Sequence, residues 1–392
     1  MKAALAIALA MLACGGRKEA PAGAGDKEKQ VADQEDAGRW VVVEKHGDQA
    51  AAASYLAIDL AAAWPAPLSL GEAAALPDTG WQGHFRTVAA HAGPRWVRAE
   101  EKSGRFAVVV GDARGGAART IDLDGEPTAL HLHGDTLLVG LGKRLGWIDL
   151  AAARPHVQEL VARDHEYKSY DLFAAAGDRV VAVDDVVMPM VADWLALDGK
   201  APRRLADWAL PGVINGHYTH AALRARGKGF TLYLLAPYGI MDGSGHDLVA
   251  VPVEGDKLVF DKELTLQNGR NGATPVIEEH VDRGTGKAIE LVAGSEVTEW
   301  TGLAIDPEDG RLLLAAGKRG LLLLPGDFKS DTRGQLVDLG GDCRDVALRG
   351  GLLVALVALE AASELVLLER SADGYTAGAR HPLPASFDRI VP

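Results

Sequence analysis

Asn215-Gly216-His217-Tyr218-Thr219-His220 packs two histidines and a tyrosine into one short stretch, and Asp164-His165-Glu166-Tyr167 repeats the mixture upstream. Histidine titrates near neutrality and ligates metals through either ring nitrogen, while carboxylates serve as partner ligands or proton carriers. Asp184-Asp185, Tyr238, Asp242 and His246 bring the same residue types further along the chain. His131 and His133 alternate with Leu130 and Leu132, so both occupy one face of an expected strand, where they pack against a neighbouring sheet more simply than they chelate. No Gly-x-Ser-x-Gly elbow, phosphate-binding loop or His-Glu-x-x-His pair is present, and no Cys/His spacing suits zinc. The sequence therefore assigns no catalytic residue, no metal and no cofactor.

Three fragments imitate known signatures and read as turns. Asp282-Arg283-Gly284-Thr285-Gly286-Lys287 resembles the Asp/Thr-Gly-Lys turn of quinoprotein dehydrogenases, but Ala288-Ile289-Glu290 follows where a tryptophan belongs. Ser371-Ala372-Asp373-Gly374-Tyr375-Thr376 resembles the Asp-box hairpin of sialidases, one residue short and without its closing aromatic. Asp122-Leu123-Asp124-Gly125 lacks the third acidic ligand and the terminal glutamate of a calcium loop.

The N-terminus speaks to location. Met1-Lys2 precedes an unbroken apolar run from Ala3 to Ala13, then Cys14-Gly15-Gly16. That run is shorter than the roughly 20 residues needed to span a bilayer and has the form of an export signal. Met11-Leu12-Ala13-Cys14 resembles the lipobox of bacterial lipoproteins, which implies a signal peptide over residues 1–13 and lipidation at Cys14. Gly15 stands where an aspartate would favour inner-membrane retention, so the resemblance implies a lipid anchor in the outer membrane, facing the periplasm or the cell surface. Residues 15–38 contain one apolar residue larger than alanine, Val31, and cannot bury enough surface to offset their ordering entropy. Residues 14–38 are thus expected to be a lipidated cysteine with a flexible tether.

With Cys14 acylated, Cys343 is left alone, and a buried inert thiol is its expected state. The formal net charge of −13 is dispersed along the chain, which argues against nucleic acid and against broad adhesion to anionic lipid. The expected contacts are the membrane through its lipid and a protein, peptide or glycan partner, with the chain itself a monomer.

Repetition organises the remaining residues, 39–392. Units starting at Ala129, Asp171, Gly302 and Asp345 share one plan: a short apolar strand, a tight turn of Gly-Asp, Asp-Gly or Gly-Gly type, a second Leu/Val-rich run, a variable loop and a third strand. Those turn residues tolerate the positive φ that tight hairpins demand. Fainter fourth strands are expected over 157–161, 258–266 and 335–339, and weaker units over 40–60, 88–123 and 221–253. Seven units in 354 residues give about 51 each, near the 40–50 of propeller blades. Gly302-Leu303-Ala304-Ile305-Asp306-Pro307-Glu308-Asp309-Gly310 resembles the repeat of the NHL, YVTN and LVIVD propeller groups, where such a turn joins the first two strands of a blade. The fold expectation is an all-β, seven-bladed β-propeller of four-stranded antiparallel sheets. An insertion or elaborated blade edge is expected over 267–297, and helix only in short pieces such as 70–75.

In a propeller, loops leading into first strands and loops joining second to third strands meet on one face around the axis. That placement makes His165, Tyr167, Asp185, His217, Tyr218, His220, Tyr238 and His246 the candidate ligand-binding set. The functional expectation is a cell-envelope binding or scaffold module. A hydrolase or lactonase using a metal or a His/Asp loop cluster is the alternative.

Overall fold

The computed structural model describes residues 40–46, 52–60, 67–74, 88–163, 169–184, 190–210, 218–240, 243–259, 264–268, 276–279, 287–288, 300–327, 334–349, 351–371 and 374–392. Every regular element among them is a strand, and the strands form seven separate antiparallel sheets. Six sheets have four strands; the fifth in chain order has seven. The inner strands are Ala89–Ala92, Ala129–His133, Tyr170–Ala176, His220–Arg226, Gly302–Ile305 and Asp342–Arg349 for blades 2 to 7. Blade 1 takes its inner strand from the far end of the chain, since Arg389–Ile390 pairs with Trp40–His46. The chain is therefore a closed seven-bladed β-propeller, with its ring locked by the C-terminus.

Seven hydrophobic clusters fill seven gaps between adjacent blades. Each central strand is buried on both faces: Leu137 and Val139 pack toward blade 2, whereas Leu138 packs toward blade 4. Double-sided burial explains why Thr136–Leu141 and Leu321–Leu324 read as continuous apolar runs and not as alternating patterns. The stretch rich in Leu and Val from Leu352 onward is likewise a strand pair, Leu352–Ala358 with Ser363–Ser371. Cys343 is fully buried in the gap between blades 6 and 7, and burial raises its thiol pKa, which leaves it inert.

The turns have the expected chemistry. Asp306-Pro307-Glu308-Asp309-Gly310 joins the first two strands of blade 6, with Asp306 Oδ1 accepting the Glu308 N–H at 2.9 Å and Gly310 at φ +72°. Ser371 and Gly374 close a hairpin, and His131 and His133 both reach blade 4. The His131 ring lies 5.8 Å from that of Phe173, and His133 Nε2 stands 3.5 Å from Asp178.

One expectation fails. Helix was expected at 70–75, but Leu68–Ala74 is the outer strand of blade 1, with Leu70 in the core. Alanine favours helix only as a weak prior, and edge pairing overrides it. Gly71 is the residue that permits this, because it sits at φ +85° where the strand bulges, with Arg98 Nη1 3.1 Å from where a Cβ would lie.

Blade 5 is the elaborated one. Its second and third strands, Gly229–Ile240 and Gly243–Glu254, pair continuously from Phe230↔Val253 to Ile240↔Gly243. The inner strand stops at His220↔Leu235, so the two-stranded ribbon runs five residues past it, about 16 Å at strand rise. Outside it, Leu264–Asn268, Val276–Glu279 and Lys287–Ala288 extend the sheet. Residues 276–279 and 287–288 fall within the stretch expected as an insertion or blade edge.

Candidate functional site at the axial mouth

The inner strands all start at one end of the ring, the mouth, and the blade 5 ribbon projects from that end. A hydroxyl residue stands immediately before four of the inner strands: Thr128, Ser169, Thr219 and Thr301. Thr128 Oγ1 donates to the Tyr170 carbonyl of the next blade at 2.6 Å, and Thr301 Oγ1 lies 3.4 Å from the Cys343 carbonyl. These hydroxyls tie neighbouring blades together around the axis. Within blade 4, the Ser169 N–H donates to Asp184 Oδ1 at 3.1 Å, which joins the segment leading into the inner strand to the end of the second strand.

Thr219 and His220 are held differently. Thr219 donates its N–H and its Oγ1–H to the Leu235 carbonyl, at 2.8 and 3.3 Å. His220 Nδ1 lies 3.1 Å from Thr219 Oγ1. Because the Thr219 proton is already given to Leu235, the hydroxyl accepts from His220, so Nδ1 carries the imidazole proton and Nε2 is a bare lone pair. Nε2 is buried and finds no hydrogen-bond partner among the described residues. Burial, then the positive charge of Arg389, then His246, hold the His220 pKa well below the ordinary value, so the ring is neutral.

Arg389 belongs to blade 1, across the ring from blade 5, yet its Nη2 comes within 3.4 Å of the Thr219 carbonyl. Its guanidinium thus lies over the axis at the mouth. Beneath it, Asp345 of blade 7 is buried and accepts the N–H groups of Val346 at 2.7 Å and Ile390 at 2.8 Å. Burial raises the Asp345 pKa to about 6, while Arg389, these two N–H groups and Arg349 pull the other way. Trp300, just ahead of the blade 6 inner strand, is 1% exposed and its Nε1–H is a buried donor with no acceptor among the described residues. It packs with Leu235, the direct cross-strand neighbour of His220.

Of the residues singled out from the sequence, His220 and His246 come together at the mouth, close enough for one to act electrostatically on the other. Tyr218 is 3% exposed and packs in the core between blades 4 and 5. Tyr238 is placed in the ribbon opposite Gly245. His165, Tyr167, Asp185, His217 and Cys14 lie outside the described residues. Among the described residues, no three His, Cys, Asp or Glu side chains are grouped to hold a metal. Arg389, Asp345 and Trp300 escaped the sequence reading. A signal existed, since a first unit short of one strand has to be closed by the chain's last apolar residues, Ile390 and Val391.

No protein-family model matches the chain, and no curated protein resembles it in sequence. Solved structures do resemble it. A Lactobacillus plantarum protein superposes with a TM-score of 0.55 at 10% identity, over 90% of this chain and 98% of its own. A proposed 6-phosphogluconolactonase from Bacteroides uniformis gives the same values. Another proposed 6-phosphogluconolactonase, from Bacteroides fragilis, has a TM-score of 0.50 at 12% identity, covering 90% and 96%. The likeness is one of fold. Propellers carry many unrelated functions, so function has to be argued from the mouth itself.

Proposed function

We propose that this chain is a lipid-anchored binding module of the bacterial cell envelope, whose propeller receives a protein, peptide or glycan partner at its axial mouth. The observation that carries this reading is the blade 5 ribbon, which rises five residues beyond its inner strand beside Arg389 and His220. Among the described residues the six other blades are four-stranded sheets, and elaboration of one blade at one end is what a docking face requires of a rigid ring. Ala236 and Asp247 are paired, so an Asn-Gly turn can join them in place of residues 237–246. That variant is expected to keep its thermal midpoint within a few degrees and to lose a partner that co-purifies with the wild type from cells. Retention of the same partner would contradict the reading.

The envelope location rests on the leader and on Cys14. Metabolic labelling with a fatty-acid analogue is expected to mark the protein, and Cys14→Ser is expected to abolish the label and release the protein from membranes. Unchanged membrane partition of that variant would defeat the anchor.

A second reading draws support from His220. A neutral imidazole with an unprotonated Nε2 beside a guanidinium has the makings of a general base with a stabiliser for developing negative charge, as ester or lactone hydrolysis needs. Lactone-opening activity that disappears in His220→Phe would favour this hydrolase.

A further inference from the structure

We propose that the axial edge of the blade 5 ribbon, at Pro237 and Gly239, takes an extended peptide segment of the partner as an added β-strand. The inference rests on the mouth being the binding face and names the class of partner that face accepts.

The bonding pattern of the ribbon follows from its turns. Arg226↔Gly229 encloses a two-residue turn and so exchanges both main-chain bonds, and the same alternation points the N–H and carbonyl of Leu235 toward the inner strand. The Thr219 N–H, which donates to the Leu235 carbonyl, agrees with that parity. Ile240↔Gly243 likewise encloses two residues, so Ile240, Tyr238 and Ala236 turn their main-chain groups toward the third strand. Pro237 and Gly239 therefore turn theirs the other way, onto the edge that the inner strand covers only as far as His220↔Leu235. Among the described residues nothing pairs with that edge. The chain leading into the inner strand departs from it, since Tyr218 is buried in the core between blades 4 and 5. The opposite edge of the ribbon is occupied, beginning at His246↔Asn268.

Three groups thus stand open in a row, the Pro237 carbonyl and the Gly239 N–H and carbonyl, two residues or about 6.6 Å apart. An extended main chain matches them: one residue exchanges both bonds with Gly239, and the residue two further on donates its N–H to Pro237. Sugar hydroxyls carry no such period. A second copy is a poor match, because proline on an exposed edge guards against pairing of identical chains, each of which brings the same missing donor. The added strand would run antiparallel to Gly229–Ile240 and in line with His220–Arg226, which seats it at the mouth.

Linear peptides selected from a random library on the whole purified protein serve as probes, with binding read by fluorescence anisotropy. Selected peptides are expected to bind Gly239→Pro about five- to tenfold more weakly, because that change removes one edge donor and keeps the ribbon's own ladder. Gly239→Ala retains the donor and should bind them as the wild type does, which guards against a general effect of substitution at this position. Methylating the peptide amides one at a time should weaken binding at alternate residues, those whose N–H faces the edge, and spare the residues between. Peptides that bind Gly239→Pro and wild type alike, a methylation scan without the two-residue period, or failure to select any peptide would overturn the proposal. So would a dimer of the purified protein that Gly239→Pro dissociates, since it would assign the edge to a second copy. A co-purifying partner that is lost on trimming the ribbon but kept by Gly239→Pro leaves the docking reading standing and refutes strand addition. Peptides that need the edge while the trimmed variant keeps its partner defeat the docking reading and leave the edge a peptide site.

Discussion

Removal of residues 389–392 is expected to unfold the entire propeller, although only four residues of 392 are lost. These residues are the inner strand of blade 1, and they hold both ends of the closure. The Val391 N–H donates to the Val42 carbonyl at 2.8 Å, and His91 donates its N–H to the Pro392 carbonyl at 3.0 Å. Arg349 donates through Nη2 to the Val391 carbonyl at 2.6 Å, while Asp345 Oδ2 accepts the Ile390 N–H. Ile390 and Val391 are buried, worth about 1.5–3 kcal/mol each. Asp345, Arg349 and the Val42 carbonyl would each lose a partner, at about 1–3 kcal/mol apiece. The loss is comparable to the whole stability of an ordinary domain, about 5–15 kcal/mol. Urea denaturation of the truncated chain should show no cooperative transition, against a single one for the intact chain. A truncated protein with a near-normal midpoint would mean that the ring closes without its C-terminal strand.

Acid is expected to weaken the fold well before the carboxylates of an exposed surface would titrate. His91 is buried in the same closure, where its Nε2 accepts from Arg349 Nε at 3.0 Å and its Nδ1 lies 3.3 Å from the Gly93 carbonyl. Burial, and then the Arg349 charge, push its pKa down to about 3. The unfolded chain, with an ordinary histidine, binds a proton that the folded chain refuses between about pH 6.5 and 3. Stability from His91 is therefore complete above pH 6.5 and is lost as pH falls, by up to about 5 kcal/mol. His131, pushed by burial to about 4, and His220 act in the same direction. Asp345 opposes them: its folded pKa of about 6 lies above the unfolded value, so its contribution is complete below about pH 4 and declines as pH rises through 6. Three histidines outweigh one carboxylate, so the urea midpoint should rise steeply from pH 4.5 to 7. His91→Gln keeps an acceptor within reach of Arg349 without a titrating ring, and it should lower the midpoint at pH 7 while flattening the pH slope. A slope unaltered by His91→Gln would show that acid acts elsewhere.

The blade plan could be read from the sequence because hairpin turns leave local marks. Asp306-Pro307-Glu308-Asp309-Gly310 and the Gly-Asp pairs at 134–135 and 177–178 punctuate strands that the structure pairs as hairpins. Closure was not legible in the same way, since Arg389–Ile390 pairs with a strand more than three hundred residues earlier and no local pattern encodes that distance. The alanine-rich outer strand of blade 1 misled for a related reason: its conformation is set by pairing to Ala52–Asp59, not by its own residues. At the mouth, the histidine-rich segment before blade 5 drew the eye to His220, but the features that define its chemistry are its tautomer and its neighbours. Thr219, Arg389 and Trp300 come from three blades, and only the ring brings them together.

The most direct test of the mouth as the binding face is photo-cross-linking in cells, with a photoreactive residue placed singly at two positions on each end of the ring. His246 and Lys143 lie at the mouth; Asp135 and Lys228 sit in turns between first and second strands at the far end. Adducts to one shared partner from positions 246 and 143, with none from 135 and 228, are the predicted result. Adducts arising from the far end, or equally from both, would contradict a partner seated at the axial mouth.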